Sequence, residues 1–197
     1  MLTDAEVLNE FKAAEAILKG HFILSSGLHS DTYLQCARVL MNPARADRLC
    51  KALADKVRAA VPQGFDMVVA PAMGGVVVGY ELGRQLGIDT IFVERENGEF
   101  ALRRGFRIAE GARVLMVEDV VTTGKSSLEA VKCVEAAGGI VVAEASLIDR
   151  SGGESKKLPF PLLPLLTVEV KTFAADAVPE ELAHIEAVKP GSRFLKK

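Results

Sequence analysis

Two adjacent carboxylates, Glu118 and Asp119, are separated by two valines from a loop of residues 122–126 with the sequence Thr-Thr-Gly-Lys-Ser. An apolar run precedes the acids, and a helical pattern follows the loop. Backbone N–H groups of such a loop, its hydroxyls and the start of the helix form a site for an anion, most naturally a phosphate. Ionised carboxylates accept hydrogen bonds, and the vicinal hydroxyls of a ribose donate them. The segment therefore predicts a sugar-phosphate site, with the diol on the acids and the 5'-phosphate on the loop.

Two better-known phosphate-binding motifs fail on their spacing. A P-loop requires a further glycine five residues before Gly124, and that position holds Asp119. A dinucleotide fingerprint requires Gly-x-Gly-x-x-Gly after a strand, and no predicted strand of this chain is followed by one. Lys125 is compatible both with a phosphate contact and with an exposed position in the first helical turn.

The elements that must position these groups are short apolar runs that alternate with helical stretches. Such runs predict strands buried on both faces, and their alternation with helices predicts βαβ units. The fold class is therefore α/β, with a doubly wound, mostly parallel sheet and flanking helices, and ligands bind beyond the carboxyl ends of its strands. The predicted strands cover residues 67–70, 90–93, 113–117 and 140–148, and the helices between them cover residues 75–86 and 125–137.

The N-terminal part predicts a small hood of about residues 1–40. Thr3 begins an amphipathic helix with a capping box, and apolar residues recur at helical spacing until Gly20. Extended pieces at residues 22–24 and 32–35 flank a glycine-containing turn and predict a hairpin.

Asn42 and Pro43 predict the cap and first position of a further core helix. Residues 94–107 are glycine-containing and dense in charge, which predicts a hairpin or a mobile flap. No repeat or linker divides the sequence, so residues 1–197 are expected to form a single domain.

Composition excludes several classes of function. The chain has 24 basic and 26 acidic residues, so it has no bulk basic field for duplex nucleic acid or an anionic membrane. Three scattered cysteines argue against a disulfide framework and a structural zinc site. The acidic start lacks a signal-peptide pattern, and no apolar stretch is long enough to span a bilayer. These features predict a cytoplasmic protein without nucleic-acid or membrane partners.

The segment around the acids resembles the phosphoribosyl pyrophosphate (PRPP) signature of type I phosphoribosyltransferases, which is a hydrophobic strand, two acids, two apolar residues and a Thr/Gly-rich turn. Further segments are similar to those of the orotate phosphoribosyltransferase family and stand in the same order, so the resemblance covers most of the chain. These segments are residues 21–35 (HFILSSGLHSDTYLQ), 70–78 (APAMGGVVV) and 147–150 (LIDR). The resemblance implies transfer of ribose 5-phosphate from PRPP to orotate, which yields orotidine 5'-monophosphate and pyrophosphate in pyrimidine biosynthesis. It also implies Mg²⁺ and a homodimer.

The resemblance implies roles for individual residues. Glu118 and Asp119 would hold the ribose hydroxyls. Thr122 and Arg150 would bind orotate, because a guanidinium beside a hydroxyl suits a planar carboxylate, and Tyr33 would flank the ring or the pyrophosphate. No protein ligand to the metal is expected, since Mg²⁺ would arrive mainly with the substrate. The residues expected to bind PRPP are Arg95, Glu118, Asp119, Val120, Val121, Thr122, Thr123, Gly124, Lys125 and Ser126.

The sequence departs from the family pattern at the turn of residues 70–75. The resemblance implies that backbone amides of this turn contact the pyrophosphate. Many relatives carry a lysine there, where this sequence has Gly74. The corresponding charge contact is therefore missing.

A second departure concerns the flap. Many relatives have a loop rich in lysine and histidine that reaches the neighbouring subunit's site, but residues 94–107 contain neither. Arginine would supply the positive charge, with Arg95 expected first and Arg103 or Arg104 second. Together with Asp119 these are the expected catalytic residues. A solvated hairpin is the alternative for the three arginines.

Two other functions share the signature. A purine phosphoribosyltransferase is the nearest, but a neutral purine does not need a guanidinium partner such as Arg150. A transcriptional regulator that senses PRPP requires a helix-turn-helix domain or a basic face, and the sequence shows neither.

Overall fold

The computed structural model describes residues 2–24 and 26–190. Met1, Ser25 in the predicted hairpin turn, and residues 191–197 of the expected single domain lie outside the described residues. In chain order the elements are α1 (Asp4–Ala13), β1 (Ile17–Ile23), β2 (His29–Leu34), α2 (Cys36–Leu40), α3 (Pro43–Ala60), β3 (Met67–Pro71), α4 (Gly74–Leu86), β4 (Asp89–Glu96), β5 (Glu99–Leu102), β6 (Arg113–Val121), α5 (Lys125–Ala136), β7 (Ile140–Asp149), β8 (Leu162–Thr167), β9 (Thr172–Phe173) and α6 (Glu180–Ala183).

The central sheet has six strands in the order β5-β4-β3-β6-β7-β8. Neighbouring strands run parallel except at one edge, where β5 pairs antiparallel with β4. Helices α1, α3 and α4 cover one face around Leu53, Leu82 and Leu115. Helix α5 covers the other face, where Val131 belongs to the same buried cluster as Met116. The predicted α/β fold with a doubly wound, mostly parallel sheet and flanking helices is confirmed.

The strand order places a crevice between β3 and β6. After β3 the chain moves outward to β4 on one side, and it later returns to β6 on the other side. Such a reversal of strand order opens a ligand-binding crevice at the carboxyl ends of the two strands. The pairing of β3 with β6 ends at Val69 and Met116, whereas β6 continues beside β7 as far as Val121. Residues 117–121 of β6 are therefore not paired with β3.

The helix ends that the sequence predicts are formed by the expected residues. The Asn42 side chain accepts a hydrogen bond from the Arg45 N–H, and Pro43 occupies the first position of α3. Gly87 ends α4 with a φ of 74°, a left-handed conformation that costs glycine little. The capping box at Thr3 is also present.

The first helix is shorter than its apolar spacing predicts. α1 ends at Ala13, Glu15 takes a φ of 49°, and the chain then enters β1, where Leu18 pairs with Tyr33. The spacing of this stretch fits both a helix and a strand, and pairing with β2 supplies hydrogen-bond partners to both strands. The predicted continuation of the helix to Gly20 is wrong because the long-range pairing prevails.

The predicted hairpin is confirmed, and its strands are longer than expected. β1 and β2 are joined by β9 into a three-stranded antiparallel sheet. Phe22 also forms a bridge with Val188. The hood is thus completed by residues from the far end of the described chain. No described helix is both long enough and apolar enough to cross a bilayer.

Candidate active site

The two acids lie inside β6, three and two residues before its end at Val121. The Asp119 carboxylate accepts a hydrogen bond of 2.9 Å from the Val120 N–H. Burial raises the pKa of Asp119, while the backbone donors act in the opposite direction. The strand predicted for residues 113–117 therefore continues through the acids, and the sheet itself holds their backbone.

Both carboxylates face the start of α4. A Cβ atom on Gly74 would lie 2.9 Å from Asp119 Oδ1, and one on Gly75 would lie 2.9 Å from the Val117 carbonyl oxygen and 3.4 Å from Glu118 Oε2. These glycines thus permit the turn after β3 to approach the acids closely. A side chain at position 74 would meet the Asp119 carboxylate.

The loop of residues 122–126 leads from β6 into α5. Gly124 takes a φ of 72° and supplies no capping side chain. The Lys125 N–H donates to Thr123 Oγ1 at 3.4 Å. The N–H groups that follow it in the first turn need partners from outside the helix, and a bound anion can supply them. Lys125 is 81% exposed, and its Nζ lies 4.0 Å from Glu129 Oε1. The loop has the geometry of a phosphate cradle, and the role of Lys125 stays a prediction.

The hood brings Tyr33 to the acids, and β7 brings Arg150. The Arg150 N–H donates to the Val121 carbonyl at 2.9 Å. Burial and then the charge of Asp119 raise the pKa of the Tyr33 phenol, and Arg150 opposes this shift. Burial lowers the pKa of Arg150. Among the described residues its guanidinium forms no salt bridge, because the Asp149 carboxylate accepts hydrogen bonds from the serines that follow it.

Cys36 was not predicted as a member of this group. Its Sγ lies 3.7 Å from the Asp119 carbonyl oxygen, to which it donates. Burial raises the pKa of the thiol well above its ordinary value, with a further contribution from Asp119. The thiol therefore stays protonated and supports the end of β6 from the hood side. No local sequence signal marks it, since its contact spans the chain from α2 to β6.

Three flap arginines, Arg95, Arg103 and Arg104, are each paired with an acid. The flap is the β4–β5 hairpin, in which Arg95 pairs with Phe100 across the strands. Arg103 lies 3.6 Å from Glu96. Arg104 lies 3.0 Å from Glu94 and stacks on an aromatic ring. The hairpin predicted for this segment is confirmed, and these three cations are paired with acids of the same chain.

Arg95 differs from the other two because its partner lies outside the hairpin. Its guanidinium forms an ion pair with Glu129 of α5 and lies 4.2 Å from the centre of the Phe100 ring. Glu129 is also the partner of Lys125. Arg95 therefore connects the flap to the first two turns of the cradle helix. Its catalytic and PRPP-binding roles stay predictions.

The donor set suits a magnesium ion that is brought by substrate. Among residues 2–24 and 26–190 no group of three or more His, Cys, Asp or Glu residues could hold a metal ion. Two carboxylates at one strand end supply hard oxygen atoms, and Mg²⁺ is commonly held by one or two carboxylates together with substrate phosphates. Glu118 and Asp119 fit that arrangement.

Comparison with known sequences matches residues 36–161 to the phosphoribosyl transferase domain. An orotate phosphoribosyltransferase of Sphingopyxis alaskensis is 60% identical over 192 residues, which cover 98% of each chain. The matched domain contains the acids, the cradle, the flap and Arg150.

Solved structures share the architecture. The orotate phosphoribosyltransferase of Aeropyrum pernix superposes with a TM-score of 0.69 at 23% identity, covering 82% of this chain and 93% of that one. The adenine phosphoribosyltransferase of Saccharomyces cerevisiae gives a TM-score of 0.65 at 20% identity, covering 82% and 99%. At these identities the likeness concerns the fold alone, and the two enzymes act on different bases.

Proposed function

The chain belongs to the orotate phosphoribosyltransferase family of phosphoribosyltransferases, and we propose that it transfers ribose 5-phosphate from PRPP to orotate. The products are orotidine 5'-monophosphate and pyrophosphate, as in pyrimidine biosynthesis. The observation that carries the proposal is the convergence, at the β3–β6 crevice, of an acid pair, a helix start without a capping side chain from Gly124, and the guanidinium of Arg150, which forms no salt bridge among the described residues.

Each group of residues at the crevice binds one part of PRPP. The cradle amides and hydroxyls of residues 122–126 bind the 5'-phosphate. Glu118 and Asp119 accept hydrogen bonds from the ribose diol. The turn before α4 contacts the pyrophosphate through its amides, and Gly74 permits this turn to lie against the acids. Val120 and Val121 contribute backbone, since they extend β6 to the cradle.

The orotate subsite is formed by the hood and by the residue that follows β7. Arg150, with Thr122, binds the orotate carboxylate, and Tyr33 flanks the ring. A half-buried guanidinium that forms no salt bridge among the described residues retains its capacity to bind an anion. Its electrostatic interaction with Tyr33 supports a shared subsite. A neutral purine would leave this charge without a partner, which favours orotate over adenine.

Catalysis is mainly positional and electrostatic. The bond between C1 of the ribose and the pyrophosphate oxygen breaks, its electron pair leaves with pyrophosphate, and a nitrogen of orotate forms the new bond to C1. Positive charge that develops on the sugar is stabilised by Asp119, and negative charge on the leaving group is met by amides and arginine. Mg²⁺, when bound with PRPP, neutralises part of the pyrophosphate charge. Flap closure by Arg95, Arg103 or Arg104 excludes water.

The proposal includes a homodimer in which the flap is shared. Met73, which stands directly before α4, and Val77 and Tyr80 within the helix are exposed by 78%, 51% and 69% and follow one another at helical spacing. An apolar stripe of this kind on a helix marks an interaction surface, and it adjoins the turn that contacts the pyrophosphate. A second copy that covers the stripe would bring its flap near this site.

Ultracentrifugation tests the dimer. Wild-type protein is expected to sediment as a dimer and Tyr80→Glu as a monomer, because a charge would be buried in the interface. Ile140→Glu, at an exposed apolar position of β7, is the matched control and should remain dimeric. A wild-type monomer at assay concentration would contradict the shared flap.

The proposal also includes a cytoplasmic location. All three cysteines are free, and two of them are buried. Unpaired thiols are typical of proteins in reducing compartments.

Turnover of orotate tests the function. Purified protein with PRPP and Mg²⁺ should consume orotate, and omission of Mg²⁺ should abolish the reaction. Adenine and other bases serve as competing acceptors. Turnover of adenine without turnover of orotate would show a purine phosphoribosyltransferase, and DNA binding in a gel shift without turnover of any base would show a PRPP-sensing regulator.

A further inference from the structure

A buried carboxyl group lies directly behind the phosphate cradle. Glu144 is in the middle of β7 and has 0% exposure. Ser127, one residue after the cradle in the first turn of α5, donates from Oγ to Glu144 Oε1 at 2.6 Å. This hydrogen bond joins the helix start that would bind phosphate to the central sheet.

The hydrogen-bonding capacity of Glu144 is only half used. Its second oxygen, Oε2, is buried and has no partner among the described residues, and the same holds for the Ser146 hydroxyl two positions along the same strand. An ionised carboxylate with an unsatisfied oxygen is costly in a protein interior. The neutral carboxylic acid is the form that this environment favours.

Among the described residues, no cation acts on the Glu144 carboxyl group to stabilise a charge. The acid that interacts with it electrostatically is Asp149 on the same strand. Its neighbours in the sheet are Met116 of β6 and Leu162 of β8. The residues of α5 that are buried are Ser127, Ala130, Val131 and Val134, and its charged residues Lys125, Glu129, Lys132 and Glu135 lie outside this set. Burial, and to a smaller extent Asp149, raises the pKa of Glu144 to about 7, against the effect of Ser127.

We propose that Glu144 is a positioning residue whose protonation is coupled to phosphate binding at the cradle. The inference deepens the proposed function, because it rests on the assignment of residues 122–126 to the 5'-phosphate. A bound phosphate and an ionised Glu144 would place two negative charges at the start of one helix. The neutral acid removes this repulsion and keeps its hydrogen bond to Ser127.

The coupling has a defined sign. Phosphate binding raises the affinity of Glu144 for its proton, and protonation of Glu144 raises the affinity for phosphate by the same factor. The affinity for ribose 5-phosphate should therefore fall as the pH rises through about 7. The ionisation of the phosphate itself, with a pKa of about 6, acts in the opposite direction. The two effects can be separated by removing Glu144.

Calorimetric titration with ribose 5-phosphate tests the coupling. As the pH rises from acid to alkaline, the affinity of wild type for ribose 5-phosphate should fall about fivefold relative to the affinity of Glu144→Gln over the same range. Binding at neutral pH, measured in buffers of different ionisation enthalpy, should take up more protons in wild type than in this variant. Glu135→Gln, an exposed acid at the far end of α5, is the matched control and should behave as wild type. Equal pH dependence in wild type and Glu144→Gln would overturn the proposal.

A measurement on the wild-type protein covers the case in which Glu144→Gln fails to fold. Carbon-13 NMR of the glutamate carboxyl groups should show that ribose 5-phosphate moves the titration of Glu144 to higher pH, and an unmoved titration would overturn the coupling. Absence of ribose 5-phosphate binding would overturn the coupling together with the cradle. Coupled binding without turnover of orotate would instead contradict only the proposed reaction.

Discussion

The cradle and the flap present positive charge to the same end of the sheet in different ways. In the cradle it comes from backbone N–H groups at the start of α5, which the uncapped Gly124 leaves for a ligand. In the flap it comes from long side chains, each paired with an acid: Arg95 with Glu129, and Arg103 and Arg104 with acids of their own hairpin.

This difference indicates which region is ready to bind and which must rearrange. Backbone dipoles held by a sheet and a helix are oriented before the ligand arrives, and preorganised donors are the most effective in catalysis. Partly exposed ion pairs contribute about 0–1 kcal/mol, so an anionic substrate can replace them at little cost. The cradle is expected to set binding, and the flap is expected to act once substrate is bound.

The largest effect should come from the acid pair beside the cradle. Asp119→Asn keeps the shape of the side chain and an acceptor for the Val120 N–H, but it removes the charge that stabilises the sugar. Turnover should fall by about 1000-fold, measured as orotate consumption at saturating PRPP. Asp47→Asn, which removes an exposed acid paired with Arg84, is the control. Retention of more than about a tenth of the activity would show that Asp119 is not needed in the transition state.

The free energy of unfolding should depend on pH because of Glu144, which lies behind the cradle, and not because of the flap. Glu144 has a folded-state pKa of about 7 against an ordinary value of 4.5, so between these values the folded protein binds more protons than the unfolded chain. This group therefore lowers the free energy of unfolding of wild type by up to about 3 kcal/mol as the pH rises from 4.5 to 7. Glu144→Gln should lack this loss in urea unfolding.

A flap variant provides the comparison. Glu94→Gln breaks a partly exposed pair with Arg104 and should change the free energy of unfolding by less than about 1 kcal/mol. If the pH dependence of unfolding is the same in wild type and Glu144→Gln, Glu144 is not the group responsible.

The flap should affect turnover more than binding. Arg95→Ala is expected to lower kcat by about tenfold, with a smaller loss in PRPP affinity, if this arginine acts in the transition state. Glu129→Gln frees Arg95 from its partner on α5 and should leave turnover equal or higher. Equal losses in kcat and affinity in Arg95→Ala would instead indicate ground-state binding.

Two glycines with left-handed backbone, one in the flap and one in the cradle, give the comparison with the smallest expected effects. Gly98 in the flap has a φ of 93° and open space where a Cβ would stand, whereas a Cβ on Gly124 would lie 3.0 Å from Leu158. Gly98→Ala should cost about 1 kcal/mol from backbone strain alone. Gly124→Ala should cost more in thermal unfolding and should also weaken phosphate binding. Equal costs would mean that Leu158 moves freely.

The sequence was most informative where function depends on residues close together in the chain. The order of strand, acids, Thr/Gly loop and helix occupies residues 113–136, and its elements form as predicted. The resemblance to orotate phosphoribosyltransferases, drawn from this segment and its flanks, is confirmed by relatives with 60% identity over nearly the whole chain. Short-range patterns of this kind predict local structure well, because the residues that decide it are close together in the chain.

Predictions failed or were missing where distant segments meet. The strand at Ile17 replaces the end of a predicted helix because β2 pairs with it, and β9 completes the hood from the far end of the chain. Cys36 and Glu144 also escaped notice, since each takes its role from a partner many residues away.

The sequence by itself determined the α/β fold and the order of strand, acids, Thr/Gly loop and helix at the proposed cradle, because periodicity and loop composition act over a few residues. Only the tertiary structure decided that Gly74 borders Asp119, that Arg95 is paired with α5, and that a carboxyl group lies buried behind the cradle. These outcomes depend on which elements pack together. Packing sets distances, burial and charge between residues that the linear order keeps apart.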